Sequence, residues 1–431
     1  MAEYWIFGLG AAASPEDCMQ AAQPESLSTE TVQGWKYLQR LTPLLVGLHN
    51  AGSARDKAGN RTLHFDQYCT LIFLALFNPL ARSLRALSQA SDLAKVQKQL
   101  GVAHASLGSL SEAARVFDPD LLRPIIDELV SELRPSATNP RLRDVRQIVT
   151  AVDSTLVKTL PCLTEAMYSR TKDNQIRFYW RLHTHFEVDR HLPVRIDATN
   201  PSGRDHADEK DVLRQHLQAD HCYVLDRGFA QFRLFNDIVD AQSSYVCRIH
   251  DNSNLEVVEE HPLSDAAAAA GVVHDALVQL GLGSKAALRP NHTVRLVVVA
   301  VQPHEKRGGR KGKTAGPPSS GRLLLATNLL DPPAEIIALL YRYRWLIEIF
   351  FRFFKHVLGC QHLLSATPHG IAIQSYCALI ACMLINLWTE CKPNLRTYEM
   401  LIWHFLGWAT DEELLAHLQK LREKHRKQTL Q

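Results

Sequence analysis

The spacing of apolar residues changes along the chain, and each change marks a new region. From residue 30 to residue 135 the apolar positions recur every three or four residues, as in helices that bury one face. Segment 66–87 predicts a helix that breaks at Pro79, because proline removes a backbone donor. Segment 91–117 predicts a helical hairpin, with a looser likeness to a helix-turn-helix. The composition of residues 134–144 then predicts a domain boundary.

After that boundary the apolar spacing becomes that of strands. Three strands in succession, followed by alternating helices and strands, indicate a mixed α/β layer. The predicted elements are strands at 146–157, 177–188 and 192–200, a helix at 206–217, a strand at 222–226, a helix at 229–241 and a strand at 244–250.

The rest of the chain, from residue 251 onward, contains a β-rich segment and a set of long helices. An alanine-rich helix is predicted at 264–280, and strands are predicted at 293–301 and 322–328, on either side of a basic, glycine-rich loop. The most apolar segment, 371–388, contains three polar residues, so it predicts a buried core helix rather than a membrane span. The tail, 418–431, is basic and polar.

Composition and charge add limits to this picture. The chain has 431 residues, of which 46% are hydrophobic and 22% charged, so it can bury a large core. The net charge of +3 means that affinity for a polyanion must come from local basic patches. The nine cysteines include no C-x-x-C pair and no zinc-finger spacing. These features predict a reduced, cytoplasmic protein without a structural zinc site.

The segment "YRYRWLIEIFFRFFK", residues 341–355, combines aromatic residues with charges. On a regular helix Tyr341, Arg344, Glu348 and Lys355 fall within about 60° of one another. The opposite side is apolar, so the helix is predicted to pack one face into a core and to hold Glu348 between cations on the other. Ordinary surface ion pairs would give the same pattern.

Two aspartates follow apolar segments that are predicted to be strands. Asp153 ends the predicted strand in "TAVDST", and Asp226 ends another in "YVLDRGF". Carboxylates at the ends of neighbouring strands project into one crevice. With Glu348 as a third acid, their mutual repulsion would be relieved by Mg²⁺ or Mn²⁺, which prefer oxygen ligands. Each aspartate alone is equally typical of a turn or cap.

These residues together resemble a known family. Tyr341, Arg344, Glu348 and Lys355 match, at full spacing, the Y-x2-R-x3-E-x6-K signature of DDE transposases of the IS-four type. The segments "VDST" and "DRGF" resemble those around the first two acids of that family, and "RLH", residues 181–183, resembles the strand between them.

The resemblance implies an α/β fold with an RNase H-like catalytic core, a mainly β insertion, and an all-α N-terminal region before it. The implied domains are a helical, DNA-end-binding region at 1–140, the first part of the core at 141–250, the insertion at 251–328, the second part of the core with the catalytic helix at 329–390, and a basic helical tail at 391–431.

The resemblance also implies the chemistry. Asp153, Asp226 and Glu348 would bind Mg²⁺, or Mn²⁺, as the catalytic triad, while Tyr341, Arg344 and Lys355 would contact phosphates. The implied reaction is cut-and-paste transposition of an insertion sequence, with double-stranded DNA as partner at both the inverted-repeat ends and the target. A homodimer would hold the two ends together, without membrane association, at the nucleoid of the cytoplasm.

In relatives that form a hairpin intermediate, an aromatic residue of the insertion stacks on a flipped base. Residues 251–340 contain no Trp, Tyr or Phe. If this chain forms a hairpin, Trp180 or Trp345 would have to supply that contact from outside the insertion.

Other cations are candidates for contacts with the DNA backbone. Arg352 lies near the charged side of the predicted catalytic helix. The glycine-rich loop 303–321 contributes five more cations, which either track phosphates or stay solvated. They are Lys306, Arg307, Arg310, Lys311 and Lys313.

Two alternatives to a transposase remain at this level. A metal-dependent nuclease of RNase H type would use the same acids without strand transfer. A transposase-derived DNA-binding protein would keep the acids without catalysis. The residues alone do not separate these three hypotheses.

Overall fold

The computed structural model describes residues 43–50, 60–133, 142, 145–159, 167–170, 176–199, 208–283, 289–301, 321–360, 363–389 and 394–429. The cations predicted to bind DNA in the loop 303–321 lie outside these residues.

Ten strands of the described chain form one mixed sheet. They are β1 Ile148–Thr159, β2 Met167–Arg170, β3 Ile176–Glu187, β4 Leu192–Thr199, β5 His221–Leu225, β6 Ser244–Arg248, β7 Leu255–Glu260, β8 Val272–Leu280, β9 Val294–Ala300 and β10 Arg322–Thr327. Their order is β2-β3-β1-β5-β6-β10-β9-β8-β7, and β4 also pairs with β3.

The centre of the sheet combines antiparallel and parallel pairing. Strand β1 pairs antiparallel with β3 and parallel with β5, and β5 pairs parallel with β6. The pairing of β1 with β5 ends at Val152 opposite Leu225, whereas the pairing of β1 with β3 continues to Thr159. In the described chain, β1 therefore has a free edge on the β5 side from Asp153 onward.

The helices of the described chain surround this sheet. They are α1 Phe65–Phe77, α2 Leu84–Ser91, α3 Ala94–Leu100, α4 Leu107–Val116, α5 Arg123–Glu132, α6 Glu209–Gln215, α7 Phe232–Asp240, α8 Asp265–Ala269, α9 Ala334–Tyr343, α10 Trp345–Arg352, α11 Pro368–Thr389, α12 Leu395–Phe405 and α13 Asp411–Thr429. Short 3₁₀ turns occur at Pro119–Leu122 and Arg227–Phe229, and a π-helical turn at Phe353–Val357.

Helices cover both faces of the central strands. Helices α9, α10 and α11 lie on one face, and α6 and α7 lie on the other. Successive residues of a strand point to opposite faces, so Val224 packs with α9 whereas Leu225 packs with α6 and α7. This alternation places the side chains of Asp153 and Asp226, which follow Val152 and Leu225, on the face of α9 and α10.

The predicted core helix at 371–388 is present as α11, and most of its side chains are buried. It packs against β4 and against helices α1, α4 and α5 of the N-terminal region. In the part of the chain that the structure describes, α11 is the helix whose length and apolar composition would allow it to cross a bilayer, but its apolar surface is covered by protein.

The predicted helix at 264–280 is wrong. Only Asp265–Ala269 is helical, and residues 272–280 form strand β8. Gly271 has φ of +84°, which ends the helix in the left-handed region that glycine adopts readily. Beyond it, valines and leucines fit a half-buried strand better than a helix.

Two further expectations about the site elements need correction. Asp153 does not end its strand, since β1 continues to Thr159; it lies instead where the pairing with β5 ends. Residues 341–355 do not form one regular helix. A tight turn at Arg344 separates α9 from α10, and the backbone N–H of Leu358 bonds to the carbonyl of Phe353, as in a π-helix.

The regular helical wheel was therefore only a partial guide to burial in this segment. Ile347 is completely buried and Phe350 nearly so, whereas Ile349 and Trp345 are 43% and 46% exposed. The break at Arg344 and the π turn rotate each part of the segment by its own amount. Arg344 and Glu348 nevertheless lie next to the sheet, where Arg344 donates to Asp153 on β1.

The strands of the region 251–328 extend the same sheet and connect it to helix α9. Arg295 on β9 and Asp275 on β8 form a buried, two-pronged ion pair, at 2.8 Å and 2.7 Å. Arg295 also donates to the backbone carbonyls of Leu330 and Pro332, at 2.9 Å and 2.6 Å. These bonds fix the chain just before α9 begins. The predicted domain limits stay a prediction.

Candidate active site

Asp153 and Asp226 occupy equivalent places on neighbouring parallel strands. Each follows directly after the last residue of the pairing between β1 and β5, which is Val152 on β1 and Leu225 on β5. Both side chains are half-buried and lie on the face that carries α9 and α10. The structure thus brings these two predicted acids together at one edge, where parallel strands stop pairing.

Asp226 is fixed by the turn that follows it. The backbone N–H of Gly228 donates to Asp226 Oδ1 at 2.7 Å, which caps the 3₁₀ turn Arg227–Phe229. A Cβ atom at position 228 would lie 2.9 Å from that oxygen, so glycine lets the carboxylate approach. The Cys247 thiol donates to the backbone carbonyl of Asp226 at 3.4 Å. The turn formed by the DRGF segment therefore holds the Asp226 carboxylate in place.

Glu348 joins the site through Arg344. The guanidinium of Arg344 donates to Glu348 Oε1 at 2.7 Å and to Asp153 Oδ2 at 3.4 Å. Its side chain is only 16% exposed, compared with 33% for Glu348. One cation thus links an acid of the central strand to an acid of α10.

The electrostatic environment of Asp153 is unfavourable for a carboxylate. The pKa of Asp153 is raised from 3.8 to about 6; burial is the largest cause, and the charges of Asp226 and Glu209 act in the same direction. The backbone N–H of Ser154, which donates to Asp153 Oδ1 at 2.8 Å, and the charge of Arg344 act in the opposite direction. The net effect is a carboxyl group that stays protonated to a higher pH than an ordinary aspartate.

This raised pKa predicts a pH dependence of stability. Between pH values of about 4 and 6 the native Asp153 binds more protons than the unfolded chain does, so its contribution to stability is present at low pH and is lost as the pH rises. We expect the Asp153→Asn substitution to remove this decline. Urea unfolding of both proteins in EDTA across that range measures it. Parallel stability curves for the two proteins would contradict the raised pKa.

The other signature residues differ in their surroundings. The ring of Tyr341 lies 5.9 Å from the guanidinium carbon of Arg344, and burial raises the pKa of its hydroxyl. Lys355 lies on the π turn, half-buried, and burial lowers the pKa of its ammonium. Arg352 is exposed and lies over the ring of Trp345 at 5.5 Å. Tyr341 therefore lies beside the guanidinium that links the acids, whereas Arg352 faces solvent.

The two tryptophans considered for base stacking differ sharply. Trp180 is 1% exposed and packs in the core between the sheet and the helices, so it is unavailable to DNA. Trp345 is 46% exposed, beside Arg344 and one turn from Glu348. Of the two, only Trp345 has an accessible indole.

Sequence reasoning missed Glu209 in the first turn of α6. Glu209 Oε1 accepts a hydrogen bond from the Ser154 hydroxyl at 2.7 Å and forms an ion pair with Arg181 at 2.6 Å. The only signal in the sequence was an acid at the start of a predicted helix, which is common because it favours the helix dipole. Arg248, whose charge lowers the pKa of Tyr341, was also missed.

The donor set suits a hard divalent cation. The acids offer oxygen atoms only, which Mg²⁺ and Mn²⁺ prefer, and the neighbouring charge of Asp226 contributes to the raised pKa of Asp153. Within the described residues, no three or more His, Cys, Asp or Glu side chains already form a compact metal-binding group. This agrees with the guanidinium of Arg344 lying between Asp153 and Glu348.

Comparison with known proteins gives a family match. Residues 145–384 match the family model described as "Transposase DDE domain", which spans more than half of the chain and includes all three acids.

Two curated relatives and one solved structure are also similar. "Putative transposase y4zB" of Sinorhizobium fredii is 26% identical over 208 residues, 48% of this chain and 52% of the relative. "Probable transposase for insertion sequence element IS5377" of Geobacillus stearothermophilus is 26% identical over 207 residues, 48% of each protein. The chain thus spans about half the length of the curated relatives it matches. A cryo-EM structure of a piggyBac transposase synaptic complex with hairpin DNA has a TM-score of 0.37 and 9% identity, over 94% of this chain and 84% of that chain.

Proposed function

Because this chain belongs to the family of DDE-domain transposases, we propose that it catalyses cut-and-paste transposition of an insertion sequence. The reaction consists of metal-dependent strand nicking at inverted-repeat ends, followed by attack of the released 3′-OH on target DNA. The observation that carries the proposal is that Arg344 donates to both Asp153 on β1 and Glu348 on α10, at the place where Asp226 follows the neighbouring strand β5.

The strand order supports an RNase H-like core. Strands β4, β3 and β1 are antiparallel neighbours, and β5 and β6 continue the sheet parallel to β1. In the sequence, strands β7 to β10 lie between Asp226 and Glu348, and they extend this sheet. This arrangement supports a β-rich insertion between the second and third acids.

Asp153, Asp226 and Glu348 would hold the divalent cation, Mg²⁺ or Mn²⁺. When bound, such a cation would act as a Lewis acid that stabilises negative charge on the reacting phosphate, and it would activate an oxygen nucleophile. The carboxylates fix its position and balance its charge. The deprotonated form of Asp153 is required for this, and a nearby positive charge favours that form.

Arg344 and Lys355 would bind the phosphates of the cut strand. A guanidinium binds phosphate oxygens in the same two-pronged way that it binds carboxylates, so Arg344 is suited to a phosphate next to the acids. The Tyr341 ring, 5.9 Å from the guanidinium carbon, would help to orient it. The lowered pKa of Lys355 reflects partial burial, which strengthens its attraction to an anion.

The proposed partners follow from this reaction. Double-stranded DNA supplies both the ends and the target, and two copies of the chain would hold the two ends in one complex. Trp345, exposed beside Arg344, is the accessible aromatic residue for an unpaired base if a hairpin forms. We place the protein at the nucleoid of the cytoplasm because its substrate is there.

An assay with two DNA substrates tests the proposed function. The wild-type protein, with Mg²⁺, is given DNA that carries the flanking inverted repeats, and separately a pre-cut 3′-OH end with a target plasmid. We expect nicking of the first and joining of the second, both abolished by EDTA. Nicking without joining would identify a nuclease of RNase H type, and binding without nicking would identify a DNA-binding protein that has lost catalysis.

A further inference from the structure

A polar cluster lies on the opposite face of β1 from Asp153, and it consists of Ser154, Arg181 and Glu209. Ser154 follows Asp153 in the strand, so its side chain points to the face that carries α6. There its hydroxyl donates to Glu209 Oε1 at 2.7 Å. Arg181, on the neighbouring strand β3, donates to the same oxygen at 2.6 Å. Three elements thus meet at one carboxylate oxygen.

This cluster occurs where β1 has least support. Among the residues that the structure describes, β1 has no strand partner on the β5 side beyond Val152, so from Asp153 onward its strand pairing there is with β3 alone. Glu209 ties this part of β1 to α6 and, through Arg181, to β3 as well. Ser154 is also the residue whose backbone N–H donates to Asp153 Oδ1, at 2.8 Å. A shift of Ser154 would therefore move a donor to the candidate catalytic carboxylate.

We propose that Glu209 is a positioning residue for the reaction, which fixes Ser154 and thereby the carboxylate of Asp153. This inference rests on the proposed function. Glu209 does not contact the reacting atoms, because it acts from the far side of the strand through Ser154. The partial burial of the Glu209 and Arg181 side chains, 24% and 26% exposed, shields their ion pair from water and makes the link more rigid than a surface pair.

Charge distinguishes this role from a contact with DNA. Removing an acid from a DNA-binding surface favours DNA affinity, since phosphates are repelled less. Removing a positioning residue lowers the turnover rate. Glu209→Ala should therefore lower kcat about tenfold or more, as for other residues that orient ligands of a metal centre, without raising KM for DNA. Loss of folding would instead lower the active fraction and the stability together.

The experiment is a double-mutant cycle on Ser154 and Glu209 in the full chain. We expect Ser154→Ala and Glu209→Ala to lower kcat by similar factors, and the double variant to be no slower than either one, because all three remove the same link. Glu209→Gln, which keeps an acceptor for the Ser154 hydroxyl, should retain most of the activity. Asp211→Asn is the matched control, since Asp211 is an exposed acid on the same helix.

A second readout does not depend on activity. Binding of Mn²⁺ to the protein without DNA, followed by electron paramagnetic resonance, should weaken equally in both single variants and no further in the double variant. If the wild type cuts no DNA but this pattern holds, the proposed function fails and the positioning role stands. If the wild type cuts DNA while the losses in the two single variants multiply, or Glu209→Ala matches Asp211→Asn, the positioning role is overturned and the function stands.

Discussion

The Asp226→Asn substitution should abolish Mg²⁺-dependent nicking while DNA binding is retained. Asparagine has the same shape and can still accept the hydrogen bond from Gly228, so the 3₁₀ turn should persist. It removes the negative charge of one proposed cation ligand, next to Asp153, with which Asp226 interacts through its charge. We expect a loss of about 10³-fold or more in the rate of nicking, the scale typical of essential catalytic groups.

Nicking of end-bearing DNA and a gel-shift titration, done on the same preparation, measure the two properties separately. Asp240→Asn is the matched control, because Asp240 is exposed at the end of α7 on the other face of the sheet. The control should cleave like the wild type. Equal cleavage by Asp226→Asn and Asp240→Asn would remove Asp226 from the active site.

The Arg344→Ala substitution should make the stability of the protein depend on metal. The wild-type guanidinium compensates Asp153 and Glu348 from a largely buried position. Without it, the carboxylates lose their common cation, and we expect a loss of ~1–2 kcal/mol in unfolding free energy, less than for a fully buried pair because Glu348 is partly exposed. The loss should be largest well above the raised pKa of Asp153, where that group is charged, and Mg²⁺ should restore part of it.

Arg344→Ala should also slow cleavage by about 10²-fold or more, because the developing charge on the phosphate loses a donor. Urea unfolding with EDTA or Mg²⁺, on both sides of the pKa of Asp153, measures the stability effect. Arg342→Ala is the control, since Arg342 is exposed two residues earlier. A stability loss that is the same at every pH and with or without Mg²⁺ would show that Arg344 is only a packing residue.

Some of the structure was predictable because it depends on local patterns. The strands β1, β3 and β4 follow from the strand-like spacing of their apolar residues, β5 and β6 from short apolar runs, and the α11 helix from its long apolar stretch. The order of strands and helices then predicted the mixed α/β class. The helix predicted at 264–280 was wrong because alanines adjoin valines there and a single glycine ends the helix.

The acids of the candidate site were also predictable from the sequence, whereas their surroundings were not. Asp153, Asp226 and Glu348 were singled out from motif spacing, and their roles as ligands remain a proposal. The regular-helix assumption for 341–355 was wrong because backbone hydrogen bonding changes at Arg344 and again at Phe353, which no side-chain pattern specifies. Glu209 was missed because its proposed role depends on its contacts with Ser154 and Arg181, which are distant in the sequence.

The sequence alone determined most of the elements of the central sheet, their order, and the acids and cations that could act together, since these depend on residue type and on spacing along the chain. Only the tertiary structure decided that one guanidinium lies between Asp153 and Glu348, that β1 loses its β5 partner at Asp153, and that Glu209 supports the strand from the other face. Those contacts join residues far apart in sequence. Their existence depends on how the sheet pairs and on which helix covers each face, and no local pattern encodes either.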